Sequence, residues 1–260
     1  MKIPFYKYHG TGNDFIIIDN RTLFFADNKD LIKGLCDRHF GIGADGLLLL
    51  QEKDSYAFEM VYYNSDGKEA TMCGNGGRCI TAFAYKSGLC NKNIRFMAAD
   101  GEHLATIVSH NKNIVQVSLR MADVKKVEFA GDDFIVNSGT PHYITFVNNV
   151  EKIDVVLAGR TIRYNPRFSE PGTNVDFVEI HDKNMVVRTY EKGVENETLS
   201  CGTGVTASAI AAWYKNKHTN YGIQTKGGAL NVTFNQTEGI FTDIWLEGPT
   251  EMVFKGEIEI

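Results

Sequence analysis

The chain has no basic tract, no apolar run long enough to cross a bilayer, no cysteine framework and no proline-rich linker. Each absence removes a class of function. Its 260 residues carry a formal net charge of −5. The lysines of Asn91-Lys92-Asn93 and Lys125-Lys126 are isolated and read as solvated loops, so nothing would neutralise a row of phosphates and no nucleic-acid partner is expected. The most apolar runs, Ile16-Ile17-Ile18 and Leu47 to Leu50, are far too short to span a membrane. The segment Met1 to Lys7 lacks the apolar core of a signal peptide, so no membrane partner is expected. Five cysteines (Cys36, Cys73, Cys79, Cys90, Cys201) make an odd set without disulfide spacing, which predicts a reducing cytoplasm. No Cys-x-x-Cys or paired-histidine motif is present, and no glycine cluster ends in Gly-Lys-Ser/Thr, so neither a metal site nor a phosphate loop is expected.

What the chain does have is one pattern written twice. Residues 69–78 read Glu-Ala-Thr-Met-Cys-Gly-Asn-Gly-Gly-Arg and residues 197–206 read Glu-Thr-Leu-Ser-Cys-Gly-Thr-Gly-Val-Thr. Each has a glutamate four residues before a cysteine, then Gly-x-Gly, then a helix-prone stretch rich in small residues. Gly10-Thr11-Gly12-Asn13-Asp14-Phe15-Ile16 and Gly172-Thr173-Asn174-Val175-Asp176-Phe177-Val178 form a second similar pair, each upstream of its cysteine. Matched order in two halves reads as a duplication.

Alternating apolar and polar residues predict strands over 57–62, 113–119 and 239–245. Helices are predicted over 30–40, 76–89, 152–159 and 203–217, the last by the strong propensity of Ala207 to Trp213. Many strands with few, spaced helices predict an α+β chain of two pseudo-symmetric domains. Each is a mixed sheet wrapped around a central helix, with the small-residue helix after each cysteine in the central position. The expected domains are residues 1–120 with 249–260, carrying Cys73, and residues 121–248, carrying Cys201.

The chemistry follows from the helix starts. Glycines after the cysteine let the backbone approach a ligand and expose consecutive N–H donors, which suit a carboxylate. A cysteine at the same place is favoured as thiolate by those donors and by the helix dipole. An amino-acid carboxylate held between two such starts would have one sulfur on each face of its Cα. One thiolate could remove the α-proton and the opposite thiol could return one, inverting the centre, while the helix starts stabilise an enediolate-like carboxylate. That is racemisation or epimerisation without a cofactor. A lone Cys-Gly-x-Gly is more often a glycine turn before a helix with a packed thiol; the matched pair is what favours chemistry. Cys36 and Cys90 have no such context, and Cys79 is expected to be packed within its helix. A dithiol redox pair of Cys73 and Cys201 would leave the duplicated anion sites unexplained.

These residues resemble the diaminopimelate epimerase family. The resemblance rests on Met72-Cys73-Gly74-Asn75-Gly76-Gly77-Arg78-Cys79 with Ser200-Cys201-Gly202-Thr203-Gly204. It extends to His9-Gly10-Thr11-Gly12-Asn13-Asp14-Phe15, to Arg38 to Gly46 and to Tyr63-Asn64-Ser65-Asp66-Gly67, collinear over essentially the whole chain. It implies two pseudo-symmetric α+β domains, each a barrel-like mixed sheet around its helix, with the active site in the cleft between them, and cofactor-independent interconversion of LL- and meso-diaminopimelate for lysine and peptidoglycan synthesis, with Cys73 and Cys201 as the acid–base pair. It also implies a carboxylate cradle at Gly74-Asn75 and Gly202-Thr203, and substrate contacts from Asn13, Asn64 and Asn174. Thr140, Glu191 and Lys192 would contact the substrate too, and His142 and Glu191 would tune the cysteine pKa values. Two positions depart from the family pattern at the substrate's distal end. Thr140 stands where Gly-Asn-Pro-His has asparagine, and Lys192 stands where arginine follows the glutamate. Lysine keeps the charge but loses the two-pronged grip on a carboxylate. Phe254 replaces a tyrosine tied to dimer contacts in some members; a homodimer is expected. The alternatives are a related racemase of another amino acid, or a non-catalytic amino-acid binding protein, for which two bases would be superfluous. A proline racemase is disfavoured by Asn75, where histidine is usual.

Overall fold

The computed structural model describes residues 2–26, 28–168, 170 and 172–259. The chain divides into two compact units, Met1–Leu119 with Gly248–Ile260, and Arg120–Glu247. The first unit contains β1 (Lys2–Gly10), β2 (Asn13–Asp19), α1 (Lys29–Cys36), β3 (Gly46–Gln51), β4 (Glu59–Asn64), β5 (Glu69–Ala70), α2 (Gly74–Lys86), β6 (Asn93–Ala98), β7 (Gly101–Asn111) and β8 (Ile114–Arg120). The second contains β9 (Val127–Ala130), β10 (Asp133–Asn137), β11 (Pro141–Phe146), α3 (Val155–Arg163), β12 (Asn174–His181), β13 (Asn184–Glu191), β14 (Asn196–Thr198), α4 (Gly202–Asn216), β15 (Asn220–Thr225) and β16 (Gly228–Thr237). The long strand β17 (Ile240–Glu259) supplies its first part to the second unit and its last part to the first.

In the first unit the pairing closes on itself. The order is β17–β1–β2–β3–β4–β6–β7–β8–β17, parallel at β2–β3 and β4–β6 and antiparallel elsewhere. Helix α2 fills the barrel and packs on β1, β2, β3, β4 and β7. Ten consecutive residues of it, Asn75 to Ala84, are buried, as a helix enclosed by a sheet must be. Helix α1 lies on the other side of the same strands, where Ile16, Ile18, Leu47 and Leu49 pack with Ile32 and Leu35. Covered on both faces, β2 and β3 need no polar alternation. That is the physical reason for the runs Ile16-Ile17-Ile18 and Leu47 to Leu50.

The second unit repeats this order. It runs β9–β10–β11–β12–β13–β15–β16–β17, parallel at β11–β12 and β13–β15, and closes through a bridge between Val124 and Phe241. Helix α4 is its central helix, buried at Gly202 and from Gly204 to Ala212. Its alanines and Ile210 join Val136, Ile144, Val187, Tyr221, Phe241 and Leu246 in one core. Among the described residues no helix is long and apolar enough to cross a membrane.

Three expectations need correction. The predicted helix over 30–40 stops at Cys36, because the Asp37 carboxylate accepts from the N–H groups of His39 and Phe40 and opens a turn. The helix predicted over 152–159 begins later, at Val155, capped by Asp154; a short 3-10 turn occupies Val150–Lys152. The third concerns the repeat. By pairing order β2 is equivalent to β11, and β12 to β3, so Asn13-Asp14-Phe15 and Asn174-Val175-Asp176-Phe177 are not equivalent segments. Both are strands covered by a helix, and a shared composition at that layer mimicked descent.

Candidate active site

In the first unit Cys73 is the N-cap of α2, with extended φ −119° and ψ 122°, and its side chain caps no N–H of the helix. Its carbonyl accepts the first helical bond, from Gly77 N–H at 2.7 Å. The N–H groups of the first turn are therefore left to an acceptor from outside the helix. Gly76 keeps this turn close to the sheet; a Cβ there would already touch Leu48 and Phe15 at 3.5 Å.

Around this start the side chains form a connected set. Cys73 Sγ lies 3.5 Å from Asn13 Oδ1, which also accepts from Asn75 Nδ2 at 3.2 Å. Asn13 donates through Nδ2 to Asp45 at 2.7 Å. Asn13 is placed by a two-residue hairpin loop in which Thr11 and Gly12 have φ 49° and 87°, the geometry that matches sheet twist. Arg78 folds back along α2 to donate to Asn75 Oδ1 at 2.8 Å and Gly74 O at 3.4 Å. Behind Asn13, Asp14 pairs with Lys7 at 2.6 Å and with Arg38 at 2.6 Å, and those two cations hold its carboxyl down at about 2 against the opposing effect of burial. Arg38 also reaches Asp45 at 2.8 Å. Asn64, at the exposed end of β4, accepts from the Tyr62 hydroxyl at 2.8 Å.

In the second unit Cys201 is the N-cap of α4, with φ −120° and ψ 113°. It is 8 % exposed. Burial pushes its thiol pKa well up, and the carboxylates of Glu191 and Asp176 push it further; the Thr203 hydroxyl and the Gly204 N–H pull the other way. The Cys201 sulfur lies 3.4 Å from Thr203 Oγ1, which lies 2.9 Å from His142 Nε2. On its far side His142 Nδ1 is 2.6 Å from Asp176 Oδ2, and both side chains are completely buried. Thr189 donates to the second carboxylate oxygen at 2.6 Å. An ionised carboxylate can only accept, so we assign Nδ1 the proton; Nε2 is then the acceptor that faces Thr203. The result is a file of groups, Cys201–Thr203–His142–Asp176, able to take up or return the sulfur's proton.

Of the residues singled out in the sequence, Asn13, Cys73, Gly74 and Asn75 come together in the first unit. Thr140, His142, Asn174, Cys201, Gly202 and Thr203 come together in the second. Thr140 Oγ1 sits 3.1 Å from His142 Nε2 and 3.3 Å from Thr203 Oγ1, and accepts from Asn174 Nδ2 at 3.2 Å. Asn174 in turn accepts from the Lys192 backbone N–H at 2.8 Å. Asp176 and Thr189 were missed as site residues. Their signal was a charge inside Val175-Asp176-Phe177-Val178, since a carboxylate among apolar strand residues needs a buried partner. In the fold Asp176 and Thr189 are cross-strand partners. Cys79 is fully buried inside α2, Cys36 is buried at the end of α1, and Cys90 is partly buried. Among the described residues, no cluster of three or more His, Cys, Asp or Glu could hold a metal ion.

The fold is that of the two-unit racemases and epimerases and of the phenazine biosynthesis PhzF family. A PhzF-family protein of Bacillus anthracis superposes with a TM-score of 0.77 at 14 % identity, over 100 % of both chains. A probable proline racemase of Agrobacterium radiobacter K84 does so with a TM-score of 0.73 at 15 % identity, over 99 % of this chain and 93 % of that one. Within that class the chain belongs to the diaminopimelate epimerase family, whose profile matches residues 5–127 and 134–252. The diaminopimelate epimerase of Flavobacterium psychrophilum is 50 % identical over 257 residues, 97 % of this chain and 99 % of that protein. That of Chlorobaculum tepidum is 39 % identical over 259 residues, 96 % of this chain and 99 % of that one.

Proposed function

We propose that this protein interconverts LL- and meso-diaminopimelate by moving one proton at Cα, with Cys73 and Cys201 as the acid–base pair. The observation that carries this reading is the repeated helix start: in each unit a cysteine N-cap opens a glycine-rich first turn at the mouth of a buried central helix. One sulfur, as thiolate, takes the α-proton, and the C–H electron pair passes into the carboxylate. The other cysteine's S–H then delivers a proton to the opposite face. One C–H bond breaks and one forms, one S–H forms and one breaks, and the two sulfurs exchange protonation states. N–H groups at Gly74-Asn75 and Gly202-Thr203 hold the negative charge as it grows on the carboxylate. Proton transfer between sulfur and carbon requires no cofactor.

Asn13, Asn64 and Asn174 supply neutral hydrogen-bonding groups suited to the amino-acid ends of the substrate. Lys192 offers a point charge to the distal carboxylate. His142 and Glu191 act on Cys201. The reaction belongs to lysine and peptidoglycan synthesis, in a bacterial cytoplasm that keeps the cysteines reduced, and the working form is a homodimer. The test is loss of the α-proton NMR signal in D2O, under reducing conditions, with LL-diaminopimelate and a panel of L-amino acids. Exchange and inversion of LL-diaminopimelate are expected. Exchange with another amino acid alone would replace the substrate, as Lys192 in place of an arginine makes conceivable, and no exchange with any compound would remove the enzymatic reading.

A further inference from the structure

Four side chains at the start of α2 form one line whose two ends carry fixed charge. At one end Arg78, completely buried, donates through its guanidinium to Asn75 Oδ1 at 2.8 Å. Asn75 Nδ2 donates to Asn13 Oδ1 at 3.2 Å, and Asn13 Nδ2 donates to Asp45 Oδ2 at 2.7 Å. At the other end the second oxygen of Asp45 is paired with Arg38 at 2.8 Å. A guanidinium has only donors, and an ionised carboxylate only acceptors. Neither amide between them can be turned over without setting oxygen against oxygen or N–H against N–H. Both ends therefore require the same orientation, with Asn13 Oδ1 pointing away from Asp45.

That oxygen lies 3.5 Å from Cys73 Sγ. An amide oxygen accepts from an S–H and offers nothing to a thiolate. The neighbour of the other sulfur is of a different kind. Thr203 Oγ1 stands 3.4 Å from Cys201 Sγ, and a hydroxyl turns either to accept from a thiol or to donate to a thiolate. His142 Nε2 does not depend on Thr203 for a donor, because the Thr140 hydroxyl stands 3.1 Å from the same nitrogen. The second helix start tolerates both protonation states of its cysteine, whereas the first matches only one.

The other ionisable groups on the elements packed around α2 have partners of their own or are neutral. Lys7 of β1 and Asp14 of β2 pair with each other, and His9 of β1 faces Glu251 at 3.7 Å. Burial keeps the Tyr8 phenol and the Cys79 thiol protonated. Strand β3 brings no ionisable side chain. On β4, Glu59 pairs with Lys53, the Tyr62 hydroxyl donates to Asn64, and Tyr63 is packed in the core with α1. On β7, Glu102 and His103 pair with Arg95 and Asp100, and the His110 ring meets Tyr85. Asp45 and Arg78 reach Cys73 through hydrogen bonds.

We propose that Asp45, with Arg78 at the far end of the line, locks the Asn13 amide so that its oxygen faces Cys73, and that Cys73 therefore keeps its S–H in the substrate-free protein. Asp45 is a positioning residue that acts through Asn13, and its bearing on catalysis rests on the two-cysteine reading above.

The test needs no substrate. The intact protein is treated with iodoacetamide from about pH 5 to pH 11, and alkylation of each cysteine is followed by peptide mass spectrometry. The pH midpoint reports the thiolate, whereas accessibility scales only the rate. In the wild type the Cys73 midpoint should lie above the ordinary thiol value of about 8.5. It should fall by about half a pH unit in Asp45→Asn, and by about one when Arg78→Met is added, with the Cys201 midpoint unmoved. Asp45→Glu, which can still only accept, should stay near the wild type. The S–H stretching band of Cys73, isolated as the infrared difference from Cys73→Ala, should be lowered by hydrogen bonding in the wild type and should rise in Asp45→Asn. The proposal is overturned by a wild-type Cys73 midpoint below about 8.5, or by a Cys73 that ignores both folded variants. It is equally overturned if the Asp45→Asn shift vanishes in about 1 M salt, which screens the field of an exposed charge but does not turn an amide. Should the double variant not fold, Asp45→Asn and the infrared band decide. Failure here would leave proton exchange in D2O intact, so the two readings fail separately.

Discussion

Five residues into α2 stands a buried arginine, and five residues into α4 a buried threonine; both bond the first carbonyl of their helix. Two residues after each cysteine stand Asn75 and Thr203. Asn75 links the first helix start to Asn13, whereas Thr203 links the second to a buried imidazole and carboxylate. The barrels repeat strand for strand, but the charges behind the two sulfurs do not. A base and an acid must differ in protonation while performing the same motion of a proton. Duplication supplies the shared geometry, and substitution at a few buried positions supplies the difference.

The severest way to break this pairing is to remove a sulfur. Cys73→Ala and Cys201→Ala should each lower the inversion rate about 10²- to 10⁴-fold, the contribution of one positioned acid–base group. Chiral chromatography of LL- and meso-diaminopimelate measures it. Full inversion by either variant would exclude the two-base scheme.

Next comes the carboxylate behind His142. Asp176→Asn keeps the shape but removes the charge that fixes the Nδ1 proton. A hydrogen bond to a charged group is worth about 1.5–3 kcal/mol, so kcat/KM should fall roughly 10- to 150-fold. The alkylation midpoint of Cys201 should move down in the same variant, because one of two repelling carboxylates has gone. Cys73 should not respond. A protein that turned over slowly with an unshifted Cys201 would owe its defect to packing alone.

The two halves also differ in how a buried carboxylate is held. Asp176 has a histidine and a threonine, but Asp14 has two full cations. Arg38 and Lys7 hold the Asp14 carboxyl at about 2, below the ordinary aspartate value of about 3.9. A depressed carboxyl pKa adds stability above the unfolded value, and that stability is lost as pH falls through the folded one. The depression corresponds to roughly 2 kcal/mol as an upper bound. Asp14→Asn should therefore be less stable than wild type above pH 4, with the gap closing between about pH 4 and pH 2. Urea unfolding across that range reads it; a gap independent of pH would place the effect in steric fit instead.

The sequence made some of this readable and hid the rest for physical reasons. The cysteine motif survives as a linear signal because a helix N-cap is local: sulfur, glycines and N–H donors lie within four residues. The apolar runs Ile16 to Ile18 and Leu47 to Leu50 were legible only as too short for a membrane; that they are strands covered on both faces depends on α1 and α2, which lie elsewhere in the chain. The equivalence of β2 with β11 was not readable, since strand pairing is set by partners far away in the chain. The segment Asn174 to Phe177 looked like Asn13 to Phe15 only in composition. Asp176 was visible as an oddity but silent about its partner, because His142 lies 34 residues upstream and meets it only through the parallel pairing of β11 with β12. Arg78 stood within the motif itself. What the sequence could not say is that it is wholly buried, with no carboxylate partner among the described residues.

The finest distinction concerns Thr140. The family resemblance assigns that position to the distal end of the substrate, but in the fold its hydroxyl lies among His142 Nε2, Thr203 Oγ1 and Asn174 Nδ2, at 3.1, 3.3 and 3.2 Å. One hydroxyl cannot serve three neighbours and a substrate carboxylate equally well. If it belongs to the proton file, Thr140→Val should cost about 1 kcal/mol, roughly a fivefold drop in kcat with KM unchanged, and Thr140→Ser should recover most of it. If it grips substrate, KM should rise instead and kcat should hold. The split between kcat and KM for LL-diaminopimelate separates the two, and a rise in KM alone would return Thr140 to the substrate and leave His142 served by Thr203 and Asn174.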